Sequence, residues 1–350
     1  MTQQEFSRRL DEFLDAYNAE HGTTGYFRVT KKGELYYEKK LGFANKEERV
    51  PFTPESRFNF YSISKAFCSL GLLRLWEDGR LDFDVHPKVY VPEAEKLHPA
   101  LTLRNMLLHV SGMPDFNQTP GVEKYGPGTP DRLRAVVSHL HEFPHFFEPE
   151  TGMRYTNPPF AIGTMVIENL TGMAYEDYMQ KEVFEPLGSE TLTVHMPGKE
   201  IPYRVMGYEL AKDGTVYPVL PNCEWMRGAG DVLGTADDVY LLHRVVTEGL
   251  LFRKKETLDQ LFSRLPAGDF SFGCRRVPWH GKDRILHNGG STGFRTYHQH
   301  LPQDDDLDII ILSNSGWGDA RRQISEEIFR LYFGTETEAE KIELDKGYIK

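Results

Sequence analysis

Two hydrophobic periodicities alternate along the chain, and their order predicts its layout. Near the start, Phe6, Leu10, Phe13, Leu14 and Tyr17 recur three and four residues apart, which makes one apolar face of a helix. Residues 25–45 then switch to a period of two on both sides of Lys31-Lys32-Gly33, which predicts a β-hairpin turning there. Toward the other end, FRTYHQHL and LDIIILS read as two more strands joined by Pro302-Gln303-Asp304-Asp305-Asp306, and residues 320–333 read as an amphipathic helix. The two ends are therefore expected to form one antiparallel sheet with a helix at each terminus.

Between these ends helical patterns dominate. Residues 62–77, 103–110, 160–170, 175–183 and 236–248 carry helical spacing, and Gly79, Gly112, Gly172 and Gly249 follow four of them as stops. Residues 203–220 are an exception, a small hairpin turning at Lys212-Asp213-Gly214. The pattern predicts an α+β fold: an antiparallel sheet flanked by N- and C-terminal helices, with a mostly helical region inserted. Residues 1–60 and 266–350 would form the sheet-and-helix part and 61–265 the helical part, one unit with its active site between them.

With 350 residues, 39% of them hydrophobic, the chain is long enough to bury a large core. Its 41 basic residues against 52 acidic ones give a net charge of −11, which repels nucleic acid and anionic membrane, so neither is an expected partner. The longest apolar run, 66–76, is broken by Ser69 and Arg74 and falls well short of the roughly 20 residues that cross a bilayer. The first 22 residues contain no apolar core of the signal-peptide kind, so a cytoplasmic location is expected. Cys68, Cys223 and Cys274 are odd in number and form no CxxC pair, which predicts reduced, buried thiols.

Three motifs carry candidate chemistry. Ser62-Ile63-Ser64-Lys65 heads an apolar helix, where residues three apart share a face, so the Lys65 amine can lie against the Ser62 hydroxyl. The positive end of the helix favours an alkoxide, and a buried lysine releases its proton more readily. Tyr155-Thr156-Asn157 precedes Pro158-Pro159, which predicts an extended loop before the next helix. A phenol beside an ammonium can share its proton, and the nearby amide can donate to a carbonyl. In His287-Asn288-Gly289-Gly290, paired glycines on an expected edge strand let a substrate approach and leave backbone N–H groups for an oxyanion. Lys31-Lys32-Gly33 and Lys212-Asp213-Gly214 also place a cation two residues before a glycine, but they lie at hairpin turns and lack the second glycine.

In this order the motifs resemble those of the penicillin-recognising serine hydrolases: class C β-lactamases, D-alanyl-D-alanine carboxypeptidases, and related esterases and D-aminopeptidases. Most of the chain shares in the resemblance. LRNMLLHVSGMPD at 103–115, the segment 155–172, GAGDVLGTADDVYLL at 228–242 and HNGGSTGF each look like a family segment, in the family's order. The resemblance implies a β-lactamase/transpeptidase-like fold and a serine hydrolase that acts through an acyl-enzyme on a small-molecule or short-peptide ester or amide, without cofactor or metal. Residue by residue, it makes Ser62 the nucleophile, Lys65 the proton acceptor or relay, and Tyr155 the general base. Asn157 would hold the acyl-side carbonyl, with Gly289 and Gly290 beside the substrate. The backbone N–H groups of Ser62 and Gly290 would form the oxyanion hole, and His287 would support Tyr155 and the substrate. The sequence departs from β-lactamases where His287 replaces their usual lysine; a mostly neutral imidazole holds a carboxylate less strongly, which favours an esterase or D-amino-acid peptidase. It departs again at Pro158-Pro159, Asn288 and Ser291-Thr292. The alternative is a catalytically silent relative that binds peptides or senses a ligand; intact Ser62, Lys65 and Tyr155 argue against it.

Other patterns fail on context. Residues 289–293 match GxSxG, but a nucleophile elbow at Ser291 needs a following helix and a strand is expected there. Residues 228–234 lack the glycine spacing and leading strand of a dinucleotide loop. His139, His141 and His145 diverge on a helix broken at Pro144, and His298 and His300 share a strand face without a nameable third ligand, so no metal site is expected.

Overall fold

The computed structural model describes residues 1–116, 130–221, 223–279, 282–302, 306–318 and 320–334. Helix α1 (Gln3–His21) leads into β1 (Gly25–Lys31) and β2 (Glu34–Leu41), then the short strands β3 (Phe43–Asn45), β4 (Val50–Pro51) and β5 (Phe58–Asn59). Helices α2 (Ser64–Glu77), α3 (Leu103–Leu107), α4 (Pro130–His139), α5 (Pro158–Thr171) and α6 (Tyr175–Met179) follow. After them come β6 (Thr193–Val194), the hairpin β7 (Gly207–Leu210) and β8 (Val216–Val219), β9 (Val232–Gly234), α7 (Ala236–Glu248) and α8 (Lys255–Leu261). The chain then returns through β10 (Phe270–Ser271), β11 (Cys274–Trp279), β12 (Lys282–Ser291), β13 (Phe294–Leu301), β14 (Leu307–Ser313) and α9 (Ala320–Phe333).

The large sheet runs β10-β11-β12-β13-β14-β1-β2, antiparallel throughout. β14 lies beside β1 with Gly25 opposite Ser313, so distant stretches of the chain close one sheet. Because Ile309, Ile310, Ile311 and Leu312 are all buried, both faces of this strand must be covered. On one face Phe6, Leu10 and Leu14 of α1 join Ile324 and Ile328 of α9 over Val29, Ile309 and Ile311. On the other, Ile310 and Leu312 join the core of the helical region. Helix α2 runs through that core with Phe67, Cys68, Leu72 and Leu73 fully buried, so it is buried nearly all round rather than on one face. α5 crosses α2 closely at Gly163, where a Cβ would lie 3.1 Å from Leu72 Cδ1.

Several expectations are corrected. Pro158 and Pro159 open α5 itself, and Asn157 before them is already helical (φ −93°, ψ −33°), because proline's fixed φ suits the first turn of a helix. The helix expected at 103–110 ends at Leu107, and His109 turns the chain at φ 62°. The one expected at 175–183 is a short α-helix followed by a π-helical turn, Gln180–Phe184. β12 is no edge strand in sheet order, but its pairing with β11 stops at Leu286, so His287 to Ser291 form a local edge. Cys68 and Cys223 are buried free thiols, whereas Cys274 is only partly buried. Residues 303–305 of the expected turn and 335–350 lie outside the described residues. No helix among the described residues is long and apolar enough to cross a membrane.

The C-terminal end of α2 is tied to the start of α8 by one buried carboxylate. Glu77 accepts from the backbone N–H groups of Arg253 and Lys254 at 2.8 and 2.9 Å, from Thr257 Oγ1 at 2.8 Å and from Arg74 Nη1 at 2.8 Å. Glu77→Ala strands these donors and is expected to cost about 3 to 5 kcal/mol, with Glu77→Gln falling between it and wild type. Urea unfolding measures this, and a loss below about 1 kcal/mol for Glu77→Ala would contradict the account.

Candidate active site

Ser62 lies in a tight 3-10 turn, Tyr61–Ile63, that feeds directly into α2. Tyr61 there takes φ 49°, a strained conformation for a bulky residue, and its surroundings hold it. The Tyr61 hydroxyl donates to the Thr292 carbonyl at 2.7 Å, the Phe60 N–H donates to Val232 O at 3.0 Å, and Thr296 Oγ1 donates to Phe60 O at 2.8 Å.

One helical turn on, Lys65 is completely buried. Its Nζ donates to Ser62 Oγ at 3.1 Å, Asn157 Oδ1 at 2.9 Å and Ala229 O at 2.8 Å. It also lies 4.7 Å from the centre of the Tyr155 ring. Burial pulls the Lys65 pKa down to about 7, against the opposing pull of Asp115, Cys68 and Asp231. An amine poised near neutrality beside a hydroxyl can take up a proton that most lysines could not.

The second motif reaches the same place from the start of α5. The Tyr155 ring packs near both His109 (ring centres 4.4 Å apart) and His287 (6.2 Å). Asn157 does not cap its helix with its side chain, whose oxygen meets Lys65. Its backbone N–H and Nδ2 donate to Asp115 Oδ2 at 2.9 and 3.1 Å. His109 is buried, which pushes its pKa well below the ordinary imidazole value. Its Nδ1 accepts the Thr156 N–H at 3.3 Å.

The third motif arrives on β12. A Cβ at Gly289 would stand 2.0 Å from Phe60 O and 2.3 Å from Thr296 Oγ1, so only glycine lets this strand meet the turn that carries Ser62. Gly290 and Ser291 lie on the cleft wall. His287 is buried, its Nδ1 2.6 Å from Asn288 O, and burial together with the Lys65 charge pushes its pKa down to about 3. It stands behind Tyr155 and is not among the residues lining the cleft.

The cleft measures about 420 Å³ and is lined by Ser62, Asp115, Phe116, Arg154, Tyr155, Asn157, Trp225, Met226, Gly290 and Ser291. Ser62, Lys65, Tyr155, Asn157, Gly289 and Gly290 are thus brought together, with His287 one layer behind. Sequence reasoning passed over Asp115, Arg154 and Trp225 as site residues. Asp115 ended a segment quoted only for its resemblance, and nothing in the spacing of the other two signalled a cleft. The turn within 228–234, which fails as a nucleotide loop and belongs to the segment 228–242 quoted for its resemblance, supplies the Ala229 carbonyl to Lys65. Gly228 takes φ 71°, and a Cβ there would lie 2.7 Å from Phe160 O.

Residues 10–329 match the family described as Beta-lactamase. The chain belongs to the beta-lactamase family. A relative within reach of this membership is the D-aminopeptidase of Gluconobacter oxydans, 28% identical over 88% of this chain. The chain spans 59% of that relative's length. Among solved structures, the octameric penicillin-binding protein homologue from Pyrococcus abyssi superposes with a TM-score of 0.80 at 23% identity, over 93% of this chain and 77% of that one. The D-amino acid amidase from Ochrobactrum anthropi does so with a TM-score of 0.77 at 21% identity, over 94% and 99%. These likenesses establish the beta-lactamase-type fold, an antiparallel sheet with helices on both faces.

Gly289→Ala tests the close approach at Phe60. The added methyl must displace β12 or the Ser62 turn, and the expected cost is about 1 to 3 kcal/mol. Thermal unfolding would show it, whereas an unchanged melting temperature would mean that the strand and turn are not in contact.

Proposed function

We propose that this chain is a serine hydrolase that forms an acyl-enzyme on Ser62. The observation that carries the reading is the Lys65 amine, buried, poised near pH 7 and 3.1 Å from the Ser62 hydroxyl at the floor of an open cleft. Lys65, with Tyr155 beside it, takes the Ser62 proton as Oγ attacks the substrate carbonyl carbon. The backbone N–H groups of Ser62 and Gly290 receive the oxyanion as the carbonyl π bond opens. Collapse of that intermediate expels the alcohol or amine, which takes a proton from Tyr155 or Lys65. Water then repeats the attack on the ester, returning Ser62 and releasing the acid. Asn157, anchored by Lys65 and Asp115, is positioned to hold the acyl-side carbonyl.

A cleft of this size suits a small molecule or short peptide. The names of the Gluconobacter and Ochrobactrum proteins support amides and peptides of D-amino acids as the substrate class, with short esters alongside. Efficient β-lactam hydrolysis is not expected. His287 is neutral and buried, so no permanent cation stands at the third-motif position to hold a lactam's carboxylate; among the described lining residues, Arg154 is the cation that reaches the cleft.

A panel of p-nitrophenyl esters, D-amino-acid p-nitroanilides and nitrocefin, together with fluorophosphonate labelling, tests the proposal. Ser62→Ala is expected to lose all labelling and at least about a thousandfold in turnover, with Lys65→Ala close behind. If wild type neither labels nor turns over any of the panel, the silent binding protein is the better reading. Nitrocefin hydrolysis matching the best amide would remove the preference for D-amino-acid substrates.

The pH dependence follows from the same amine. Only neutral Lys65 accepts a proton, and its fraction grows as pH rises past about 7, so kcat/KM should climb through a limb centred near that value. A profile flat from pH 5 to 9 would show that Lys65 is not the group that takes the Ser62 proton.

A further inference from the structure

Away from the cleft, the inner face of the sheet carries an unusual group of buried polar side chains. His300 on β13 stands directly opposite Asp308 on β14, and α7 brings His243 against both. All three are only about 1% exposed. Neither ring nitrogen of His300, nor Asp308 Oδ1, nor His243 Nδ1 has a hydrogen-bond partner among the described residues. Four orphaned polar atoms together in a core are costly unless something binds them.

Their remaining atoms are held as the outer contacts of metal ligands are held. His243 Nε2 lies 3.0 Å from Asp306 Oδ1, a charge contact without hydrogen-bond geometry, and its Nδ1 lies 3.7 Å from Asp308 Oδ2, also without a hydrogen bond. His298 Nε2 lies 2.7 Å from Asp308 Oδ2, leaving Oδ1 for another partner. One ligand atom from each of His243, His300 and Asp308 can be chosen so that all lie within 4.8 Å of one another. Ligands about 2.0–2.2 Å from a tetrahedral ion stand about 3.3–3.6 Å apart, so a closure of at most about 1.5 Å brings the three atoms into place.

We propose that His243, His300 and Asp308 bind one divalent cation of the zinc class where α7 docks on the sheet. Two imidazoles and a carboxylate suit zinc or cobalt and not the all-oxygen shells of calcium and magnesium. The ion clamps α7 to β13 and β14, and its fourth position is left to water. It stands outside the cleft and does not depend on the serine-hydrolase reading. Its expected effect is on stability.

The test uses the full chain, stripped with chelator and titrated with Zn²⁺ by calorimetry and with Co²⁺ by visible absorption. One equivalent is expected to bind, with the absorption of four-coordinate cobalt and a raised melting temperature. His300→Gln should abolish the uptake, and His298→Gln should weaken it by about 10- to 100-fold. Removal of the surface histidines with His139→Gln and His141→Gln should leave it intact. No uptake by wild type, uptake that survives His300→Gln, or uptake that disappears with the surface pair would overturn the proposal. If His300→Gln fails to fold, X-ray absorption of the zinc-loaded wild type decides: two imidazoles in the zinc shell support the site, and fewer refute it.

Discussion

A lysine with no exposure is the constraint around which the molecule is organised. An ammonium in an apolar interior is tolerated only if its N–H groups find acceptors, and Lys65 finds three on separate pieces of chain: the turn before α2, the start of α5 and the turn before β9. Meeting that demand brings Ser62 and Asn157 to one point and supports the amine from below with the Ala229 carbonyl. The same burial lowers the amine's pKa to about 7, so the interaction that orders the site also gives it a usable base. Stability and reactivity pull against each other at this residue, as they commonly do where a charge is held out of water.

At the turn that carries Ser62, sheet and helical region meet largely at backbone atoms. The strained Tyr61 turn persists because Phe60 is gripped on both sides, by Val232 through its N–H and by Thr296 through its carbonyl. Gly289 allows β12 to slide against that carbonyl, and the end of β12–β11 pairing at Leu286 leaves the next N–H groups of β12 available. A one-residue shift of β12 would replace Gly289 with Asn288 or Gly290 at the contact and turn every side chain of the strand to the opposite face. The oxyanion donors assigned to Ser62 and Gly290 thus depend on strand register as much as on local geometry.

The sheet, its terminal helices and the α7 boundaries were legible because periodicity and glycine stops report one-dimensional pattern, and both ends of the chain carry it strongly. The opening of α5 was misread because Pro-Pro announces a loop as readily as a helix start, and only the tertiary position of Asn157 selects the second. Ser62, Lys65 and Tyr155 were nameable from motif order, but the burial of His287 behind Tyr155 was not, since a residue at the end of an apolar run carries no mark of which layer it faces. The two residues gathered with His300 were equally invisible: His243 lies on a helix more than fifty residues earlier and Asp308 on the next strand, and no local spacing connects them.

The buried position of His287 bears on the chemistry of Lys65. The two groups are close enough that the charge of Lys65 helps depress His287, so the coupling must act in both directions. A permanent cation at 287 would repel the Lys65 ammonium in the same apolar surroundings and drive its pKa below 7, leaving a weaker base. A neutral imidazole avoids that repulsion and still fills the space behind Tyr155. A neutral histidine at this position therefore adds no like charge to the burial that already lowers the Lys65 pKa to about 7.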